Sequence, residues 1–138
     1  MEDRIERELR VKAPVERVWQ VLTDPAYVAR WFGDTAEIDL RPGGRAVFGW
    51  KEYGDGHAVV ERVEPPREFA FRWAREHDVP LEEAATTTLV EFSLSPVDGG
   101  TMLRLVESGF TDETHHKENS GGWDAELAEL VAFAESVG

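Results

Sequence analysis

Glu107 is the residue of this chain whose type and position point most directly to chemistry. It lies two residues after Leu105 and four after Leu103, so in an extended strand the three side chains share one face. A carboxylate inside an apolar interior is costly unless it is hydrogen-bonded or paired. Glu107 is therefore a candidate to hydrogen-bond a ligand, or to act as a general acid or base if the protein has a substrate. The alternative is that the strand ends here and the carboxylate reaches solvent.

Aromatic residues supply the material for a pocket around this carboxylate. The chain has five tryptophans and seven phenylalanines, and many of them alternate along strand-like segments, so that each group shares a face. Rings at such positions either pack a core or line a cavity between a sheet and a helix. The candidate wall residues are Trp31, Phe32, Phe48, Trp50, Phe69, Phe71, Trp73, Phe92, Leu105, Trp123 and Leu127.

The histidines and a search for known catalytic motifs give little evidence for a metal site or a reaction. His57 begins a predicted strand and lies either at the mouth of the pocket or on the surface beside a turn. His115 and His116 are adjacent, so on a helix they point about 100° apart and are poorly placed to hold one ion together. The chain has no cysteine, no Gly-rich phosphate loop and no Ser- or zinc-hydrolase motif. We predict no metal and no cofactor, and nothing in the sequence demands catalysis.

Two short helices are predicted directly after a first strand. Pro14 suits the start of a helix, and apolar residues follow it at helical spacing as far as Leu22. Asp24 and Pro25 then predict the N-cap and the first residue of a second helix, which Gly33 ends.

Beyond Gly33 the apolar pattern changes to the period of two that is typical of half-buried strands. Asp98-Gly99-Gly100 is a hairpin signal within this series. The chain closes with an amphipathic helix over Trp123–Val137, which could begin as early as Asp112. Gly121-Gly122 predicts either a break there or a close approach of the helix to the sheet or to a ligand, because each glycine costs a helix about 1 kcal/mol. The fold class is α+β, a curved antiparallel sheet of about six or seven strands around a long C-terminal helix.

The chain resembles the START-like (Bet v 1-like, SRPBCC) superfamily, and within it the domain named for homology to the activator of the Hsp90 ATPase (AHSA1-like). The resemblance runs in order along nearly the whole chain and rests mostly on packing residues. It is carried by APVERVWQVLTDP near the start, ARWF at Ala29–Phe32, the Arg41–Gly44 turn, Val63–Pro66, Glu107–Phe110, and Gly122-Trp123 with Leu127 and Leu130.

The resemblance implies a helix-grip fold with a largely apolar cavity between sheet and helix. Its members bind lipids, sterols or aromatic polyketides, and a minority are cyclases or hydrolases. Three functions therefore stay open for this chain. We expect binding of a small hydrophobic molecule first, an enzyme that uses Glu107 as acid or base second, and an Hsp90-type co-chaperone or stress-response interaction module third.

The length of the chain predicts the number of domains, and its net charge restricts the classes of partner that we expect. The 138 residues predict a single domain over 1–138. A net charge of −13 repels phosphate backbones and anionic lipid headgroups, so nucleic acid and membrane surfaces are excluded as expected partners. The charged N-terminus lacks an apolar signal region, and we expect a cytoplasmic protein. An exposed edge strand of this fold would also support a homodimer.

Overall fold

The predicted strand, two helices, meander and terminal helix are all present. The computed structural model describes residues 3–136, so Val137 of the predicted last helix lies outside the described residues. In chain order the elements are β1 (Arg4–Val11), α1 (Val15–Thr23), α2 (Pro25–Trp31), β2 (Thr35–Ile38), β3 (Arg45–Trp50), β4 (Gly54–Glu64), β5 (Glu68–Ala74), a short 3-10 turn (Leu81–Glu83), β6 (Thr87–Val97), β7 (Gly100–Ser108) and α3 (Glu113–Ser136).

Local chemistry fixes the second helix and the last hairpin where the sequence predicted them. The Asp24 side chain accepts a hydrogen bond from the Ala26 N–H at 3.0 Å, and Pro25 occupies the first position of α2. At the other end of the chain, Gly99 has a φ of +80° between β6 and β7, which only glycine adopts without strain.

The sheet has seven strands in the order β1-β7-β6-β5-β4-β3-β2, and every pair is antiparallel. Strands β2 to β7 form a simple meander. Only β1 is out of sequence, because α1 and α2 carry the chain from β1 at one edge to β2 at the opposite edge. This confirms the predicted α+β architecture.

One face of the sheet carries the core. Alternate residues of β7 point into it, and Leu103, Leu105 and Glu107 are all completely buried. The register places Glu107 between Ile5 of β1 and Val90 of β6. The carboxylate is thus embedded in an apolar row, and the prediction that it faces inward is confirmed, whereas the alternative that it reaches solvent is wrong.

Helix α3 is continuous through Gly121-Gly122. It begins at Glu113, close to the earlier of the two predicted starts, and no break occurs at the glycine pair. A Cβ added at either glycine would meet no atom within 4 Å. The predicted close approach to the sheet is therefore wrong. The helix instead buries Trp123, Leu127 and Leu130 on its other side, and that burial offsets the glycine cost.

Candidate functional site

The Glu107 carboxylate is the centre of a buried hydrogen-bond network that joins the sheet to α3. It accepts the Trp73 indole N–H at 2.9 Å and the Thr88 hydroxyl at 2.5 Å on one oxygen. The Trp123 indole N–H reaches the other oxygen at 2.8 Å, and the Asn119 amide reaches both oxygens at 3.1 Å. Four side chains from β5, β6 and α3 therefore meet on one carboxylate.

This network limits what Glu107 can do chemically. A carboxylate offers about four lone-pair sites, and five contacts from four donors already occupy this one. No lone pair is left over for a substrate proton. The geometry favours a positioning role, because the carboxylate fixes the ring orientations of Trp73 and Trp123.

These two rings form part of the wall of a cavity of about 620 Å³ between the end of the sheet and α3. The wall also includes backbone and polar groups from β3, β4, the segment after β5 and α3. The lining residues are Phe32, Trp50, Tyr53, Gly56, Trp73, Ala74, Arg75, His77, His115, Glu118, Asn119, Gly122, Trp123 and Glu126. A second depression of similar volume, about 630 Å³, lies elsewhere and has no aromatic residue in its lining.

The predicted wall residues divide into two groups. Four of them line the cavity: Phe32, Trp50, Trp73 and Trp123. The others fill the interior away from it, each at most 4% exposed: Trp31, Phe48, Phe69, Phe71, Phe92, Leu105 and Leu127. His57 is half-buried on β4 and does not line the cavity.

Ring-on-ring packing explains why the interior is filled except at one end. Phe32 stacks on Trp123 with centroids 5.4 Å apart and meets Phe48 and Trp50 edge-on at 5.0 Å. Phe71 meets Trp73 edge-on at 5.5 Å between ring centroids and packs against Phe48 at a tilt, at 5.2 Å. The aromatic pattern predicted that the rings either pack a core or line a cavity, and both occur. The rings fill the core along most of the sheet, and an open cavity lies beyond Trp73.

Several cavity residues were missed in the sequence, and four of them lie on one face of α3. His115, Asn119, Gly122 and Glu126 follow one another at helical spacing of three or four residues. Glu126 is not part of the apolar stripe of α3, yet its side chain is half-buried in the cavity wall. The same spacing rule, applied to polar residues, would have found this face.

Burial changes the protonation of two of these groups. Desolvation raises the pKa of Glu126 to about 7, helped by the negative charges of Glu129 and Asp34 and opposed by the Trp50 indole. Desolvation also lowers the pKa of His115, and the Arg75 guanidinium adds to this effect. His115 is 3% exposed and packs edge-on against Phe110, with ring centroids 4.8 Å apart.

Arg75 ties the segment after β5 to the start of α3. Its guanidinium donates to the Asp112 carboxylate at 2.8 Å and lies 3.8 Å from Glu118. Asp112 also caps α3 by accepting the Thr114 N–H at 2.7 Å and the His115 N–H at 3.2 Å. Arg75 and these two N–H groups together lower the pKa of Asp112.

The described part of the chain has neither a metal-binding cluster nor a membrane-spanning helix. Within residues 3–136, no group of three or more His, Asp or Glu side chains is placed to hold a metal ion. In the same described part of the chain, no helix is both long and apolar enough to cross a bilayer.

The sheet order and the long helix held against its concave face define a START-like helix-grip domain. Residues 12–135 match the family model described as activator of Hsp90 ATPase homolog 1-like protein. The chain belongs to this family, as the resemblance predicted. No curated protein matches the chain.

Solved structures with the same fold cover nearly all of this chain. Protein MLL2253 from Mesorhizobium loti is 23% identical over 98% of both chains, with a TM-score of 0.86. CalU16 from Micromonospora echinospora is 31% identical over 96% of this chain and 76% of its own, with a TM-score of 0.76. The Aha1 dimer from Colwellia psychrerythraea is 20% identical over 96% of each chain, with a TM-score of 0.80.

Proposed function

We propose that this protein binds a small, largely apolar molecule, aromatic or lipid-like, in the cavity beside α3. The observation that carries the proposal is the aromatic wall, in which Phe32, Trp50, Tyr53, Trp73 and Trp123 surround about 620 Å³. That volume lies within the range of roughly 300–1,000 Å³ that small-molecule sites occupy.

The packing of the rest of the interior supports this proposal. Phe48, Phe69, Phe71 and Phe92 are at most 2% exposed, so the interior is close-packed where it has no opening. The cavity is confined to one end, where Trp50 and Trp73 remain partly exposed. Glu107 and its donors hold two of the rings in place, and a wall with fixed rings loses little entropy when a ligand binds.

Trp50→Ala tests the binding proposal. Trp50 is the suitable ring because it lines the cavity but donates no hydrogen bond to Glu107, so its removal leaves the buried network intact. We expect the affinity for 1-naphthalenemethanol, measured by fluorescence titration, to fall by about tenfold or more.

The matched control is Trp19→Ala. Trp19 is also a half-buried tryptophan, but it lies on α1 against Phe69, away from the cavity. Its removal is expected to leave the affinity unchanged. Equal affinities in wild type and Trp50→Ala, or equal losses in both variants, would refute binding at this wall.

Native mass spectrometry of freshly purified protein, followed by organic extraction, would identify a ligand that copurifies.

Family membership favours one second candidate, an interaction with an Hsp90-type chaperone. The description of the matched family names an activator of the Hsp90 ATPase. Under this candidate, the purified protein raises the ATPase rate of a purified Hsp90-type chaperone in proportion to its concentration. An unchanged rate at saturating protein would eliminate it.

We also propose that the protein forms a homodimer through an edge strand, as supported by the dimeric Aha1 structure from Colwellia psychrerythraea. The sheet order leaves β1 and β2 at the two edges. The longer edge, β1, has eight residues and is the better candidate for pairing with a second copy. Sedimentation analysis at micromolar concentration tests this, and a mass of one chain at every concentration would contradict it.

A further inference from the structure

Glu126 is a carboxyl group of the cavity wall without a basic partner. It lies three residues after Trp123 on the cavity face of α3, and its side chain is half-buried. Within residues 3–136, no Arg, Lys or His nitrogen forms an ion pair with it; the one arginine of the cavity lining, Arg75, is held by Asp112 at 2.8 Å and faces Glu118 at 3.8 Å.

The charged groups that act most directly on the Glu126 carboxyl are acidic. Desolvation by burial raises the pKa of the Glu126 carboxyl to about 7, and the negative charges of Glu129 and Asp34 add to this shift. Asp34 after α2 and Glu129 on α3 act on it directly, and the other titratable or charged groups of the cavity lining are Arg75 and His77 after β5, and His115 and Glu118 on α3. The cavity lining contains one arginine, Arg75, and two glutamates, Glu118 and Glu126.

The aromatic rings of the wall are also suited to a positive charge. The faces of Trp, Tyr and Phe rings attract cations, and Trp does so most strongly. In the part of the chain that the structure describes, the one cation–π contact is Arg30 over Phe133, outside this cavity. The partly exposed rings of Trp50 and Trp73 therefore have no arginine or lysine over them, whereas Trp123 is buried with Phe32 stacked on it.

From this geometry we propose that the cavity selects an apolar ligand that carries a protonated amine, and that the Glu126 carboxylate pairs with the ammonium group while the indole rings surround it. This inference rests on the proposed function and specifies its ligand class. Binding an ammonium group would supply the charge partner that Glu126 lacks. The net charge of −13 would favour the approach of such a cation.

Three probes with one ring system test the inference: 1-naphthylmethylamine, 1-naphthalenemethanol and 1-naphthoate. We expect the amine to bind roughly tenfold more tightly than the alcohol, because a charge-assisted hydrogen bond is about twice as strong as a neutral one, and we expect the carboxylate to bind weakest. The Glu126→Gln variant is expected to lose this preference, so that it binds the amine no more tightly than the alcohol. Glu129→Gln, an exposed glutamate three residues further along α3, is the control and should keep the preference.

The pH dependence identifies the group responsible. As pH falls below about 7, Glu126 becomes protonated, so the amine affinity of the wild type should decrease by up to about tenfold per pH unit, while alkylamines stay protonated throughout. Two histidines, His77 and His115, also line the cavity. In Glu126→Gln the decrease should disappear, and a decrease that persists would assign the effect to the histidines and overturn the role of Glu126.

The outcomes of the proposed function and of this inference are distinguishable. If the alcohol binds but the amine binds no better, or if the carboxylate binds best, the amine inference is overturned while the cavity remains a binding site. If none of the three probes binds to the wild type, the proposed function fails, and the inference fails with it.

Discussion

At the scale of single residues, Glu107 has most consequence for the site. Strand parity with Leu103 and Leu105 was enough to predict that it points inward. Its four donors could not be predicted, because they lie 12 to 34 residues away in sequence and come from three different elements. Which side chains converge on a buried carboxylate is decided by sheet register and by the position of α3.

Glu107→Gln is expected to destabilise the fold by about 2–4 kcal/mol. The amide has one oxygen in place of two, and its NH₂ group would face the indole or hydroxyl donors that now point at the carboxylate. Urea unfolding followed by circular dichroism measures the loss. Glu8→Gln, at an exposed glutamate of β1, is the control and should unfold as the wild type does. Equal stability of Glu107→Gln and wild type would contradict the structural role of the network.

His115 is expected to make the fold less stable in mild acid. Burial lowers its pKa in the folded state, so the unfolded chain takes up the proton more readily, and stability decreases as pH falls below the ordinary value of about 6.5. Glu126 acts in the opposite direction, because its pKa is raised and the folded state takes up the proton more readily.

Comparing the wild type with His115→Gln between about pH 7.5 and about pH 5 isolates the histidine. The free energy of unfolding of the wild type should fall more steeply than that of the variant, since Glu126 contributes equally to both. Parallel profiles would show that His115 does not titrate differently in the two states.

At the scale of elements, α3 determines both the core and the cavity. Trp123, Leu127 and Leu130 hold one side of the helix to the sheet. The glycine pair lies on its other surfaces, with open space beyond each Cα. Of the two, only Gly122 borders the cavity. The absence of a side chain there leaves part of the cavity volume empty.

Gly122→Leu should therefore fill the cavity and reduce the affinity for 1-naphthalenemethanol by about tenfold or more. Gly121→Leu is the matched control, because its side chain would project from the same turn without bordering the cavity. Both variants are expected to gain about 0.5–1 kcal/mol of stability, since each replaces a helical glycine. Unchanged binding in Gly122→Leu, measured by the same titration, would argue against this cavity as the site.

At the scale of the whole molecule, the sequence was sufficient to predict the fold but not to predict where the cavity lies. Proline and glycine positions marked the elements, and alternation marked the face of each strand. Alternation does not say how far along a strand the core extends, however. Phe71 and Trp73 share a face two residues apart, yet Phe71 is buried and Trp73 borders the cavity. That distinction depends on where α2 and α3 end in space.

The net charge of the molecule predicts that its Tm depends on salt concentration. Ion pairs on the outer face of the sheet, such as Arg62 with Glu68 at 3.1 Å and Arg72 with Glu61 at 3.0 Å, are solvent-exposed and contribute about 0–1 kcal/mol each. The net charge of −13 repels itself over the whole surface. Raising NaCl from about 0.05 M to about 0.3 M should therefore increase Tm by roughly 3 °C. Differential scanning calorimetry measures this, and a decrease in Tm would mean that the ion pairs outweigh the repulsion.

The carboxylate shared by Trp73 and Trp123 also gives the protein a built-in spectroscopic reporter. Both indole N–H protons are donated to Glu107, and the Trp31 indole N–H is donated to the Val21 carbonyl at 2.9 Å. Protons held in buried hydrogen bonds exchange slowly with solvent. The Trp73 and Trp123 indole resonances should therefore persist in deuterated water. A molecule that enters the cavity would shift them without any label having been attached to it.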